Sequence, residues 1–299
     1  SAQAADYKAL VCVFLFGGND SWSMVVPRSD AEYNAYAQSR QNLAIAKDQL
    51  LPIDALNADG VLYGMHPSME GVASLFDSAR CAVMANVGPL IAPTTKAQYQ
   101  QGSVPLPPQL FSHNDQQDQW HSLRGKAILK SGWAGRFADV LNAQVGGQQL
   151  SLNVSLAGQT YFQAGDVARP YVMGSTGATT FAGLAESATG SAAANAAIPA
   201  RRASFAATAN AGLNTTSNTL YERSFASVQQ RAVQFADRVN ASIAGARPFV
   251  ALPDAGVTLS RLEQQLRTVA KMISARASLS MSRQVFFVST GGFDTHDNL

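Results

Sequence analysis

Two acidic residues and an imidazole stand directly behind glycine pairs near opposite ends of the sequence. The apolar run at residues 10–16 opens onto Gly17-Gly18-Asn19-Asp20, and the run at 285–288 leads to Gly291-Gly292-Phe293-Asp294, with His296 two residues further on. Carboxylates and imidazoles are ligands for divalent cations, and the glycines let the backbone come close. Ligands in open α/β sheets gather at the carboxyl ends of strands, so Asp20, Asp294 and His296 read as a metal site built from both ends of the chain. Each motif is equally turn chemistry: Gly-Gly-Phe-Asp suits a tight turn, and Asp20 before Ser21-Trp22 suits a helix cap. The duplication is what favours the metal reading. Zinc matches a mixed imidazole and carboxylate set, whereas calcium, manganese or magnesium matches one dominated by oxygen.

A third motif, Phe111-Ser112-His113-Asn114-Asp115, carries a hydroxyl. Ser112 followed three residues later by Asp115 fits a helix start, where the hydroxyl accepts an amide proton and the acid faces the helix dipole. The same serine is a candidate nucleophile, because a cation would stabilise its alkoxide and helix amides would favour an anionic substrate oxygen. Both roles stay open. His113 and His121, eight apart, read as sharing a helix face, either over a cleft or at the surface. His66, before Pro67, reads as a loop residue packed at a helix start.

The elements that must position these residues follow from periodicity. Residues 9–16 are β-branched and aromatic enough for a central strand. Residues 28–60 read as irregular, with a short helix near 31–38. A helix over 67–78 has Pro at its first position and Met69, Val72, Leu75 and Phe76 on one face. A strand over 81–87 would complete a βαβ unit beside the first strand. Residues 88–108 read as a long loop. From 174 to 220 the chain turns to Ala, Ser, Thr, Gly and Asn, the composition of a surface insertion. Two amphipathic helices follow, with stripes at Tyr221, Phe225, Val228, Ala232, Phe235, Val239 and Ile243 and at Leu259, Leu262, Leu266, Val269 and Ile273, both read as core. The second feeds a strand over 284–290. So apolar a strand needs neighbours and helical cover on both faces, so the fold is expected to continue past residue 299.

The composition supports this frame. A chain of 299 residues, 46% hydrophobic and 14% charged, can bury a full core without staples. Its formal charge of +2 supplies no field for nucleic acid or an anionic membrane, and no apolar run reaches the ~18 residues of a membrane span. Cys12 and Cys81 read as small hydrophobes in buried strands, with a disulfide between neighbouring strands left open. Ala2-Gln3-Ala4 has the small-x-small form of an export cleavage site.

Taken together, Phe14-Leu-Phe-Gly-Gly-Asn-Asp-Ser-Trp22, Val25-Val-Pro27, Met65-His-Pro-Ser-Met69, Ala85-Asn-Val-Gly-Pro-Leu90, Phe111-Ser-His-Asn-Asp-Gln-Gln117, Gly132-Trp-Ala-Gly-Arg136 and Gly291-Gly-Phe-Asp-Thr-His296 resemble, in order, the exported bacterial family catalogued as domain of unknown function 1501. That family is placed by fold resemblance in the alkaline phosphatase and sulfatase superfamily, and its members commonly carry a twin-arginine export signal. The resemblance implies an α/β fold in which a mostly parallel sheet is sandwiched by helices, one domain over residues 1–299 with 174–220 inserted, and a periplasmic or extracellular location. It implies Asp20 as a first-strand metal ligand, Ser112 in the order position of the nucleophile, and Asp294 with His296 as the later ligand pair. The superfamily draws further ligands from a C-terminal third, where this family has Asp-Phe-Gly-Arg and Asp-His-Gly segments that this sequence lacks. Its Asp-Phe, where phosphatases carry Asp-His, would leave one metal position altered.

Two functions are therefore expected. One is a metal-dependent hydrolase of an anionic phosphate or sulfate ester, acting on a small ester or a decorated glycan. The other is a non-catalytic secreted binding or assembly protein on a hydrolase-like scaffold.

Overall fold

The structure is a computed structural model describing residues 6–56, 59–125, 131–145, 150–181, 183–185, 190–214, 216, 218–247, 249–253 and 256–296. Ala2-Gln3-Ala4 lies outside the described residues. In chain order the strands are β1 (Lys8–Leu15), β2 (Val25–Pro27), β3 (Leu51–Ile53), β4 (Tyr63–Met65), β5 (Asn153–Ser155), β6 (Tyr171–Val172) and β7 (Arg283–Thr290). The α-helices are α1 (Asp30–Arg40), α2 (Glu70–Asp77), α3 (Lys96–Gln101), α4 (His113–Ser122), α5 (Trp133–Val145), α6 (Ala192–Ala196), α7 (Ile198–Gly212), α8 (Leu220–Ala244) and α9 (Arg261–Ser274). They form two compact units, one of Ser1–Leu15 with Ile91–Thr290, the other of Phe16–Leu90 with Gly291–Leu299.

The larger unit holds a parallel sheet of order β1-β7-β5-β6. Its most apolar strand, β7, lies inside, with Gln284 through Ser289 all buried. Strand alternation sorts the side chains onto two faces. Val285 and Phe287 of β7, with Cys12 and Phe14 of β1, meet Trp133 and Ala134 of α5 and Phe162. Phe286, Val288, Val11 and Val154 face the other way, onto Ala236, Val239 and Ile243 of α8 and Val269 and Met272 of α9. Helices thus cover both faces, the arrangement a parallel sheet needs.

Buried amides complete the layers where helices meet strand ends. Gln163 Nε2 donates to the carbonyls of Val154 at 3.1 Å and Val285 at 2.9 Å, tying β5 to β7. Asn153 Nδ2 donates to the Gln163 carbonyl at 2.8 Å, and Gln265 exchanges two bonds with the Ser289 backbone. Each satisfies peptide groups that burial would otherwise strand. Gly132 lets the start of α5 approach the carbonyls of Tyr161 and Phe162, where a Cβ would collide.

The smaller unit contains an antiparallel sheet of order β2-β4-β3, closed by α2 through a core of Ile53, Met65 and Ala73. Residues 28–60, expected to be irregular apart from a short helix, thus contribute β3 to a second sheet. Strands of three residues are too short to show an alternation.

Several expectations need correction. Residues 81–87 form no strand and no βαβ unit: they carry no ladder, Val83 and Met84 are exposed, and Asn86 turns to φ 56°. On α2 the buried side is centred on Ala73, flanked by Met69 and Phe76, while Val72 and Leu75 face outward. The stripe of α8 is core only in its second half. Tyr221 is 87% exposed and Phe225 67% exposed, because α7 packs on the Ala226 side, where Gly212 meets the alanine methyl. The 174–220 segment is partly helical, since its alanines favour α6 and α7, and Arg202 of α7 pairs with Asp237 of α8. The loop at 88–108 contains α3, started by a Thr95–Gln98 capping box. Cys12 and Cys81 are free thiols, and burial pushes the Cys12 thiol up to about 11.

Truncating the buried Phe287 to Ala should destabilise the larger unit by ~3–5 kcal/mol in urea unfolding, whereas Val13→Ala on the half-exposed edge strand should cost less than about 1 kcal/mol. Equal costs would contradict the placement of β7 inside the sheet.

Candidate functional site

Leu15 is the last residue of β1 paired with β7, opposite Thr290, and the residues after each belong to the smaller unit. There Gly291 packs against the Phe16 ring. Gly18 has φ +85°, and a Cβ on it would lie 2.6 Å from both the Cα and the N of Asp294. Only glycine meets both conditions, the left-handed backbone and the missing side-chain space. The two Gly-Gly-x-Asp motifs, remote in sequence, are therefore in backbone apposition.

Their side chains are differently engaged. Asp294 Oδ1 lies 3.3 Å from His296 Nε2, and both residues reach solvent. The left-handed φ of 53° at His296 turns the chain back so that acid and imidazole meet. The Asp20 carboxylate accepts no backbone N–H of the short 3-10 helix at Ser21–Ser23, although the Asp20 carbonyl accepts the Ser23 N–H at 3.3 Å. Its Oδ2 instead accepts the Ser23 hydroxyl at 2.9 Å and forms an ion pair with Arg40, the last residue of α1. Asn19 turns away, its Nδ2 donating to Met24 Sδ at 3.5 Å.

The donor chemistry defines what these residues can hold. Asp294 and His296 offer one oxygen and one nitrogen to a cation, and Asp20 adds a carboxylate already matched to a guanidinium. Among the described residues no group of three or more His, Cys, Asp or Glu side chains is placed to hold a metal ion. Sequence reasoning missed Arg40, because nothing in its neighbourhood distinguishes it from a surface residue in a last helical turn.

Ser112, in the larger unit, is the N-cap of α4. Its Oγ accepts the Asp115 N–H at 3.3 Å and donates to Asp115 Oδ2 at 2.6 Å, so the cap is built as expected and the hydroxyl proton rests on a carboxylate. Next to it, Asp118 has its carboxyl raised by burial and then by the charge of Asp115. His66 also behaves as expected at a helix start, its Nδ1 accepting the Ser68 N–H at 3.0 Å.

His113 and His121 do not share a face. Eight residues make just over two turns, leaving the two about 80° apart, and while His113 is exposed His121 is buried to 6%. The His121 ring stacks 4.5 Å from Phe14 and lies 5.6 Å from Phe287 and 6.1 Å from Phe162. Nδ1 is 3.4 Å from the Thr160 hydroxyl, and Nε2 is buried with no hydrogen-bond partner among the described residues. Burial among these rings pushes the imidazole down to about 4.

Two predictions follow from these environments. Ser112→Ala should cost ~1 kcal/mol of stability, the worth of a cap, measurable by thermal unfolding. For His121 the folded state resists a proton that the unfolded chain accepts, so stability is unaffected well above pH 6.5 and falls as the pH drops from about 6.5 towards 4, by up to ~1.4 kcal/mol per unit. His121→Leu should flatten that slope in urea titrations across this window; an unchanged slope would contradict the buried, neutral imidazole.

Compared with known proteins, the chain has no match among curated proteins. No solved structure matches it either. A family model, described as a protein of unknown function, does match, over residues 7–299, which is nearly the whole chain. With both glycine motifs, the Ser112 helix and every strand inside that span, the chain belongs to the DUF1501 family.

Proposed function

We propose that this chain serves as an exported, metal-dependent hydrolase of an anionic ester, phosphate or sulfate, of the alkaline phosphatase and sulfatase type. The observation that supports the reading is the packing of Gly18 against the Asp294 backbone, which sets two distant Gly-Gly-x-Asp motifs against one another. Asp294 and His296 would hold the cation, and Asp20, the third residue of the expected set, is engaged by Arg40. Zinc suits this mixed set; calcium, manganese or magnesium would need more oxygen. When bound, such a cation would supply charge neutralisation for an anionic ester.

The chain's own residues do the rest. Ser112 is the nucleophile of this reading, and Asp115 Oδ2, 2.6 Å from its Oγ, is in position to take the proton. The first-turn amides of α4 favour an anionic oxygen beside the serine. His296 sits against Asp294, which orients its imidazole.

One observation favours a second reading, a secreted binding or assembly protein on the same scaffold. Asp20 is already neutralised by Arg40, and the described residues include no three-ligand cluster. The two readings separate by experiment. Purified protein, metal-analysed and assayed with aryl phosphate and aryl sulfate, should contain or take up a divalent cation and turn over one of them. Ser112→Ala should then lose at least about a hundredfold in turnover while folding normally, and Asp294→Asn with His296→Ala should lose the metal. Absence of both metal uptake and turnover would leave the scaffold reading.

A further inference from the structure

The core of the smaller unit is open on one side. Ile53, Met65 and Ala73 are buried in it, while Val25, Tyr63 and Phe76 pack against them and stay partly exposed. At the C-terminal end of α2 the Ala79 N–H donates to the Phe76 carbonyl at 2.9 Å and the Arg80 N–H to the Leu75 carbonyl at 2.8 Å, with Ala79 at φ 57°. That left-handed cap ends the helix. The segment that follows, apolar yet outside any ladder, lines a cavity of about 540 Å³ together with Val25, Tyr63 and Phe76. A volume in this range suits one small organic molecule.

The charge of the lining is one-sided. Asp54 and Asp59 both line the cavity, and among the described residues no Lys, Arg or His side chain joins them. Asp59 is held in place: its Oδ1 accepts the Val61 N–H at 3.0 Å and its Oδ2 the Tyr63 hydroxyl at 2.9 Å. These two bonds, the Val61 N–H first, keep its carboxyl below the usual range. A carboxylate has about four acceptor sites, so Asp59 retains capacity for a further donor. Apolar walls with uncompensated carboxylates repel an anion and complement a molecule with an apolar body and one cationic head, to which the aromatic rings of Tyr63 and Phe76 are also attractive. An inorganic cation would leave the apolar walls uncovered.

We propose that this cavity is a binding site for a small organic ammonium ion, its charged head held at Asp54 and Asp59 and its apolar body against Val25, Phe76 and Val83. The inference does not depend on the hydrolase reading, since Asp20, Ser112, Asp294 and His296 are not among the lining residues. A guest there covers the open side of the small core, so binding stabilises the smaller unit.

Cys81, in the lining, is a free thiol and reports occupancy. On the full chain, 2-phenylethylammonium should bind by calorimetry with a Kd on the order of 1 mM or tighter. Near saturation it should slow the alkylation of Cys81 by iodoacetamide, mapped by peptide mass spectrometry, at least about fivefold. The neutral 2-phenylethanol should bind at least about tenfold more weakly. Asp54→Asn with Asp59→Asn should erase that preference, and Ala82→Trp, which fills the cavity, should remove binding and protection together. Should the double variant fail to fold by circular dichroism, Asp54→Asn alone should still weaken the amine and not the alcohol. Equal binding of amine and alcohol, a preference that survives loss of the carboxylates, or binding that leaves Cys81 alkylation unchanged or persists in Ala82→Trp would overturn the proposal. So would protection of Cys81 by Ca²⁺ as strong as that by the amine, or no binding of the amine at all.

Discussion

The in-register parallel pairing of β1 with β7 is the constraint on which the rest depends. Eight residues from the start of the chain lie alongside eight from near its end, Lys8 opposite Arg283 through Leu15 opposite Thr290. Parallel neighbours cannot be joined by a hairpin, and here the connection is most of the polypeptide. Closing it costs entropy that only burial can offset, and β7 provides that burial on both faces, through Phe286 and Val288 on one and Val285 and Phe287 on the other. A slip of one residue would send each of these side chains to the wrong layer. The same register fixes where the two glycine motifs emerge.

What the sequence made legible was whatever repeats or stands out chemically. β7 is dense in β-branched and aromatic residues and was readable as a buried strand, whereas β1, expected as a central strand, lies at the sheet edge with no residue fully buried; the helical spacing of Leu262, Leu266 and Val269 announced α9. Ser112 and Asp115 announced a helix start, and His66 with Pro67 another. Failure came where pattern and environment part. The run at 81–87 looks like a strand, but a strand is made by its neighbours, and no ladder forms there. Tyr221 and Phe225 keep a helical stripe that is not buried, because the small residues of α7 choose a different side of α8. Strands of three residues, as in the β2-β4-β3 sheet, leave too little pattern to read.

The site was legible in half. Glycines beside acids could be seen in the sequence, and their apposition follows from the strand pairing. The partners of those acids could not be seen, since they are set by tertiary geometry: Arg40 twenty residues beyond Asp20, and the turn at His296 that returns it to Asp294. His121 is a similar case. Its place on α4 gave no sign that three aromatic rings would enclose it, and burial, not any charged neighbour, sets its protonation. Membership of the DUF1501 family extends the frame over nearly the whole chain without assigning chemistry to it. Among the described residues no helix is long and apolar enough to cross a membrane.

Two distant glycine motifs meet backbone to backbone, and the proposed function has the acid and imidazole of the second hold a cation. Anomalous diffraction from crystals grown with Mn²⁺ addresses it most directly. The account predicts Gly18 against the Asp294 backbone and one anomalous peak within coordination distance of Asp294 and His296. Motifs lying apart, or manganese bound only at unrelated surface acids, would contradict it.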